Sequence, residues 1–213
     1  MSIFDKPAVQ AFVQQAHKRS YAPKHTLMLA GDAPRSIYLI LEGTVSVMLE
    51  DENGREIVVA YLGPGDFFGE VCLFPEQRSR TAIVRSRTPT LAAELSYEAF
   101  MKFYASNPDI MFELAGQLAN RLRDTTRRLA DLAFLDVATR MERTLTELTA
   151  KREAVEHKRG VLIRTSRQEL ARLVGCSREM AGRVLKKLED DGILTTEGRN
   201  ILMLGIHLSR TGT

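Results

Sequence analysis

The chain has 213 residues, 44% of them hydrophobic and 27% charged, with a formal net charge of +3. That length suits one large domain or two small ones around a proper core. No apolar run is long enough for a signal peptide or a membrane span, so the sequence predicts a cytoplasmic protein with no membrane partner.

The charge is unevenly placed. From Asp136 onward there are 15 Lys+Arg against 11 Asp+Glu, a net of +4, which leaves −1 for the first 135 residues. A basic module joined to a near-neutral one points weakly to nucleic acid. The two cysteines, Cys72 and Cys176, lie far apart with no CxxC, and they read as buried free thiols rather than a metal or redox motif.

Up to about Asn107 the chain is rich in short β runs. "SIYLILEGTVSVMLE" and "REIVVAYL" carry β-branched and aromatic residues, and Asn53-Gly54 between them is a hairpin signal. Glycines recur at the predicted strand ends. Many short strands of this kind predict a small β-barrel or jelly roll. Within this region "GEVCLFPEQRSRTAIVR" places Glu70 directly after Gly69 and, ten residues on, Arg80 before Thr81. A carboxylate, a guanidinium and a hydroxyl can make a plain salt bridge. They can also hold a ligand with an anionic group and sugar hydroxyls. The residues alone leave both readings open.

From Pro108 to about Leu135 the period changes. Leu114, Leu118, Leu122, Thr125, Leu129 and Leu132 step by four, four, three, four and three, close to a heptad seam. One long helix across the barrel would explain it. A parallel dimer helix explains it better, since a barrel shields only part of so long a helix. Asp136 is placed to cap a further helix from Val137 to about Ala150. "KREAVEHKRG" after it reads as a loop, and the chain ends with two short helices and a β-hairpin turning at Gly198.

The two short helices carry the most specific pattern. Ser166 and Glu169 form the S-x-x-E of a reciprocal capping box. Leu170, Ala171, Leu173 and Val174 supply the buried face, with Ala171 small enough for a close helix crossing. Gly175 suits a left-handed helix end and Ser177 caps the second helix. This is a helix-turn-helix pattern. The second helix would bury Ala181, Val184, Leu185 and Leu188 and expose Arg178, Glu179, Arg183, Lys186 and Lys187. A solvated surface helix would look similar. After a complete helix-turn-helix, the exposed face reads as a DNA reader, with Arg178 and Arg183 on guanines and Glu179 on a cytosine. Ser166, Arg167, Gln168, Ser177 and Lys186 would hold phosphates.

"GDFFGEVCLF", "SRTAIVR", "LAFLDV" and "RQELARLVGCSREMAGRVLKKLE" resemble the cyclic AMP receptor protein family of bacterial transcription factors, in the family's order and over nearly the whole chain. The resemblance implies an α+β fold: an N-terminal cyclic-nucleotide-binding β jelly roll over 1–107, a long dimerisation helix over 108–135 and a C-terminal winged helix-turn-helix over 136–213. It implies that Glu70 bonds a ribose 2′-hydroxyl and that Arg80, with Thr81, takes the cyclic phosphate, while Gly69 keeps the backbone beside the sugar clear. Family members contact adenine from the long helix with a Thr and, across the dimer, a Ser. Arg121, Thr125 and Thr126 stand at the matching positions.

The implied effector is cyclic AMP. Cyclic di-GMP, to which relatives respond, and cyclic GMP, suggested by the Arg-Thr pair, are the alternatives. The implied partners are a second copy of the chain, double-stranded DNA with a pseudo-palindromic, TGTGA-like site, and RNA polymerase. At the wing, Glu197 stands where a phosphate contact is expected. An enzyme is not expected, and neither is a metal or a catalytic residue. His17, His25, His157 and His207 are scattered, and no H-x-H or H-E-x-x-H occurs.

Overall fold

A computed structural model describes residues 2–74, 79–150, 154–198 and 200–205, apart from the side chains of Val71 and Cys72. Helix α1 (Pro7–Gln15) opens on a proline in its first turn, where a missing N–H leaves nothing unsatisfied. Among the described residues eight strands follow: β1 (His17–Tyr21), β2 (Thr26–Met28), β3 (Ser36–Glu42), β4 (Val45–Glu50), β5 (Glu56–Leu62), β6 (Phe67–Phe68), β7 (Ile83–Ser86) and β8 (Thr90–Ser96). They pair antiparallel as two four-stranded sheets, β1-β8-β3-β6 and β2-β7-β4-β5.

The two-residue period of a strand explains how the halves of this jelly roll bury themselves. Along β3, Ile37 and Leu39 point away from the barrel, into a core shared with Val9 and Phe12 of α1, Phe67 and Leu95. Tyr38 and Ile40 point inward, to Met28, Val45, Leu62, Phe68 and Val84 of the other cluster. The Tyr38 ring stacks on Phe68 with centroids 4.8 Å apart, and its hydroxyl donates to Glu94. Burial beside that carboxylate pushes the Tyr38 phenol up to about 12.

Helix α2 (Tyr97–Ser106) is capped by the Ser96 hydroxyl, which accepts from the Ala99 N–H, and it adds Phe100 and Phe103 to the outer core. Neither α1 nor α2 stands out in the β-rich sequence pattern. Helix α3 (Ile110–Phe134) follows. Its start, Ile110 and Leu114, is buried in the same outer core. Leu114 therefore belongs to the jelly roll and not to the apolar seam into which its spacing put it. Further along, Leu122, Leu129 and Leu132 are 68%, 66% and 52% exposed.

By internal contacts the chain divides into Met1–Thr126 and Arg127–Thr213, so the division falls within α3. In the second unit α4 (Val137–Thr149) is capped by Asp136, whose carboxylate accepts from the Thr139 N–H at 2.8 Å. Strands β9 (Val155–His157) and β10 (Gly160–Arg164) then pair as a hairpin. In place of the expected loop over 151–160, Val155–His157 form a strand and Gly160 opens β10, because β10 offers the preceding residues a sheet edge. Residues 151–153 lie outside the description. Helices α5 (Arg167–Val174) and α6 (Arg178–Asp190) come next, then β11 (Leu194–Glu197) and β12 (Asn200–Leu204), with Gly198 between them. The sheet order is β11-β12-β10-β9, and Met141, Leu145, Leu170, Val174, Leu185 and Ile201 fill the core beneath it. Among the described residues, no helix is long and apolar enough to cross a membrane.

Candidate functional site

The first cluster forms where β6 ends. Gly69 has φ +80°, and a Cβ there would meet the Ser36 carbonyl at 2.9 Å, Arg80 Nη1 at 3.0 Å and Met28 Cε at 3.1 Å. Both the conformation and the space demand glycine. The following turn, Glu70–Leu73, starts with the carboxylate. Arg80 is buried, and its guanidinium donates to Gly69 O at 2.8 Å and Ser36 O at 2.6 Å. The plain salt bridge that the residue types allowed between Glu70 and Arg80 gives way to a different pairing. Glu70 Oε1 lies 3.5 Å from Arg121 Nη1 on α3. Two backbone carbonyls hold the buried guanidinium, and the carboxylate takes the more accessible arginine.

Gln117 and Arg121, one helical turn apart, fasten α3 to β6. Gln117 accepts from Phe67 N–H at 2.9 Å and donates to Gly65 O at 2.8 Å. Arg121 donates to Phe67 O. Sequence reasoning missed Gln117. The four-residue step to Arg121 was the only signal of a shared face.

The structure thus gathers Gly69, Glu70, Arg80 and Arg121. Thr81 is exposed beside Arg80. Thr125 and Thr126 lie one turn beyond Arg121 and are exposed, and the Thr126 hydroxyl donates back to Leu122 O at 2.9 Å. The cluster offers an acceptor in Glu70 and cations in Arg80 and Arg121. An anionic ligand with hydroxyls suits that donor set.

The second cluster is the helix-turn-helix. Ser166 accepts from Glu169 N–H at 3.2 Å, and Ser177 accepts from Met180 N–H at 3.1 Å. Gly175, with φ 71° and ψ 51°, ends α5 in the left-handed region. Ala171 and Ala181 are buried at the crossing. Arg167, Gln168, Ser177, Arg178, Glu179, Arg183 and Lys186 are all exposed, and Ser166 is half-buried under its capping bond. At the start of α6 the Glu179 carboxyl is held below its ordinary range by its own backbone N–H and the Ser177 hydroxyl, with Arg178 and Arg183 adding to the effect. The face therefore presents a charged acceptor among cations. At the wing, Glu197 lies 3.3 Å from Arg159, which screens its charge. Glu189 accepts from Thr196 N–H at 2.8 Å and so ties the end of α6 to β11.

Cys176 is half-buried, and burial raises its thiol pKa. The Cys72 side chain and His207 lie outside the described residues. Among the described residues, no group of three or more His, Cys, Asp or Glu is placed to hold a metal ion.

Residues 18–107 match the model of the cyclic nucleotide-binding domain, and residues 163–194 match that of the bacterial regulatory proteins, crp family. The chain is 41% identical over 199 residues to the cAMP-activated global transcriptional regulator CRP of Pasteurella multocida (strain Pm70), covering 93% of this chain and 95% of that one. It is 43% identical over 206 residues to the CRP-like protein Clp of Xanthomonas oryzae pv. oryzae, covering 94% and 90%. A solved structure of CLP, the c-di-GMP-responsive global regulator of Xanthomonas campestris, superposes with a TM-score of 0.89 at 43% identity, over 93% of this chain and 98% of that one.

Proposed function

The chain belongs to the crp family of bacterial regulatory proteins, and from that premise we propose that it is a cyclic-AMP-responsive, sequence-specific DNA-binding homodimer. It is a cyclic-nucleotide-responsive transcription regulator and not an enzyme. In this proposal Gly69, Glu70, Arg80 and Thr81 hold the sugar and cyclic phosphate. Arg121, Thr125 and Thr126 face the base. The jelly roll over 1–107 serves ligand binding, 108–135 dimerisation and 136–213 DNA binding. The exposed leucines at 122, 129 and 132 meet a second copy, and the dimer works on cytoplasmic DNA together with RNA polymerase.

One observation carries the reading. The Glu70 carboxylate at the ligand turn contacts Arg121 of α3, so a ligand hydroxyl that engages Glu70 must act on the long helix as well. A second reading, cyclic di-GMP as effector, is supported by the likeness to the Clp proteins, one of which is described as c-di-GMP-responsive.

On the DNA side, Arg178, Glu179 and Arg183 read bases, while Ser166, Arg167, Gln168, Ser177 and Lys186 hold phosphates. Half-sites about 10–10.5 bp apart are expected, a geometry for which members of this family are themselves the standard examples. The test is a binding selection on random duplexes with no nucleotide, with cyclic AMP and with cyclic di-GMP. A two-fold symmetric, TGTGA-like motif whose recovery depends on cyclic AMP is expected. Arg183→Ala should relax preference at one base pair, and Lys186→Ala should weaken all duplexes alike and flatten the salt dependence. Dependence on cyclic di-GMP alone would replace the effector. Recovery of no symmetric motif under any condition would refute the proposal.

A further inference from the structure

The last turns of α3 and helix α4 run back along one another from the short junction at Leu135 and Asp136. Two ion pairs cross between them. Arg127 meets Glu147 at 3.2 Å, and Asp131 meets Arg143. The register is that of an antiparallel hairpin: four residues back along α3 are matched by four residues forward along α4. Each helix carries its arginine and its acid four apart, hence on one face. The two faces are charge-complementary rung by rung.

The same hairpin is tied to the helix-turn-helix. Arg140 donates to Leu135 O at 2.7 Å and to Val174 O at 3.2 Å, reaching the end of α5. Leu132 Cδ2 stands 3.5 Å from the position of a Cβ on Gly175. Met141 and Leu145 of α4 share one core with Leu170 of α5 and Leu185 of α6. From Arg127 onward, α3 therefore belongs to the same compact unit as the reading helix.

We propose that Arg127, Asp131, Arg143 and Glu147 are positioning residues that make α4 and the reading helix follow any movement of α3; this rests on the nucleotide-coupled DNA binding proposed above. The Arg140 bonds and the Leu132 contact hold the junction at its base. The two crossing pairs restrain the hairpin further along its length, so that a displacement of α3 at Thr125 and Thr126 is passed more fully to α4 and α6. Coupling between sites needs such an element with defined arrangements, not mere proximity. The pairs are partly exposed, with side-chain exposures of 55% and 39% for one and 47% and 17% for the other, so their effect is moderate and screened by salt.

The experiment measures the full-length dimer's affinity for a labelled palindromic duplex by fluorescence anisotropy, with and without cyclic AMP, and in parallel with cyclic di-GMP. The readout is the ratio of the two DNA affinities. Arg143→Asp sets like charges face to face at Asp131. It should lower that ratio by about threefold or more, while cyclic AMP affinity measured without DNA stays within about twofold. The swapped pair, Asp131→Arg with Arg143→Asp, should restore the ratio. Arg143→Gln repeats the test without repulsion should the reversal fail to fold. An unchanged ratio in both single variants overturns the proposal, as does a well-folded swap that recovers nothing. A native chain whose DNA affinity ignores both nucleotides overturns the functional reading itself, and the transmission role with it.

Discussion

Replacing Arg80 with Leu should damage the protein twice, and the structure sets the size of each loss. The buried guanidinium donates to Gly69 O and Ser36 O at 2.8 and 2.6 Å. A bond from a charged donor contributes about 1.5–3 kcal/mol, so the two together contribute about 3–6 kcal/mol. That figure is already net of the cost of taking the groups out of water, so the expectation is a loss of about 3–6 kcal/mol in unfolding free energy, read as a lower urea midpoint at unchanged slope. In the folded fraction, loss of the cation opposite the cyclic phosphate should weaken cyclic AMP by roughly 10–100-fold by calorimetry. Arg80→Lys separates the effects. It keeps the charge but not the planar fork, so it should lose stability through the carbonyl it no longer reaches and retain part of the nucleotide affinity. A native urea midpoint for Arg80→Leu would contradict the anchoring role. Native cyclic AMP affinity in the same variant would contradict the phosphate role, whatever the stability.

Leu122→Glu should turn a dimer at micromolar concentration into monomers by light scattering, because it charges the middle of an exposed apolar stripe that continues at Leu129, itself 66% exposed. A native chain that is already monomeric would rule this out. Gly175→Ala should cost about 1–2 kcal/mol in urea unfolding, since the left-handed conformation at φ 71° penalises a side chain. Leu132, at 3.5 Å from the new Cβ, makes only an ordinary contact, so conformation accounts for the loss. Gly175→Asn should lose less, and an alanine variant as stable as the native chain would refute the assignment.

The caps and turns of the helix-turn-helix were legible because their chemistry is local. Ser166, Gly175 and Ser177 each act within three or four residues along the chain, and the structure shows the Ser166 and Ser177 capping bonds and the left-handed glycine. The heptad stripe of α3 was legible as a helix but not as a surface. Its period is the same whether a barrel or a second copy covers it, so the sequence could not separate buried Leu114 from exposed Leu122. Strand β9 was illegible for the opposite reason. Its three residues are all exposed and alternate nothing, and pairing with β10 alone makes them a strand. Helices α1 and α2 are short, and their apolar residues serve a core assembled from distant strands.

At the ligand turn the residue types were legible and their partners were not. Spacing put Glu70 and Arg80 in one segment, but it could not say that each would bond something else: Glu70 a side chain 51 residues away, and Arg80 a carbonyl 44 residues away. This changes the meaning of Gly69. The family resemblance implies that a glycine there clears room for a sugar. In the fold, a side chain at that position would drive into the Ser36 carbonyl and the Arg80 guanidinium before any ligand arrived. The glycine, the carbonyl and the arginine are therefore one packing unit. On the role proposed for Arg80, a nucleotide would meet an arginine already fixed by the fold, so little ordering of that side chain is left for binding to supply.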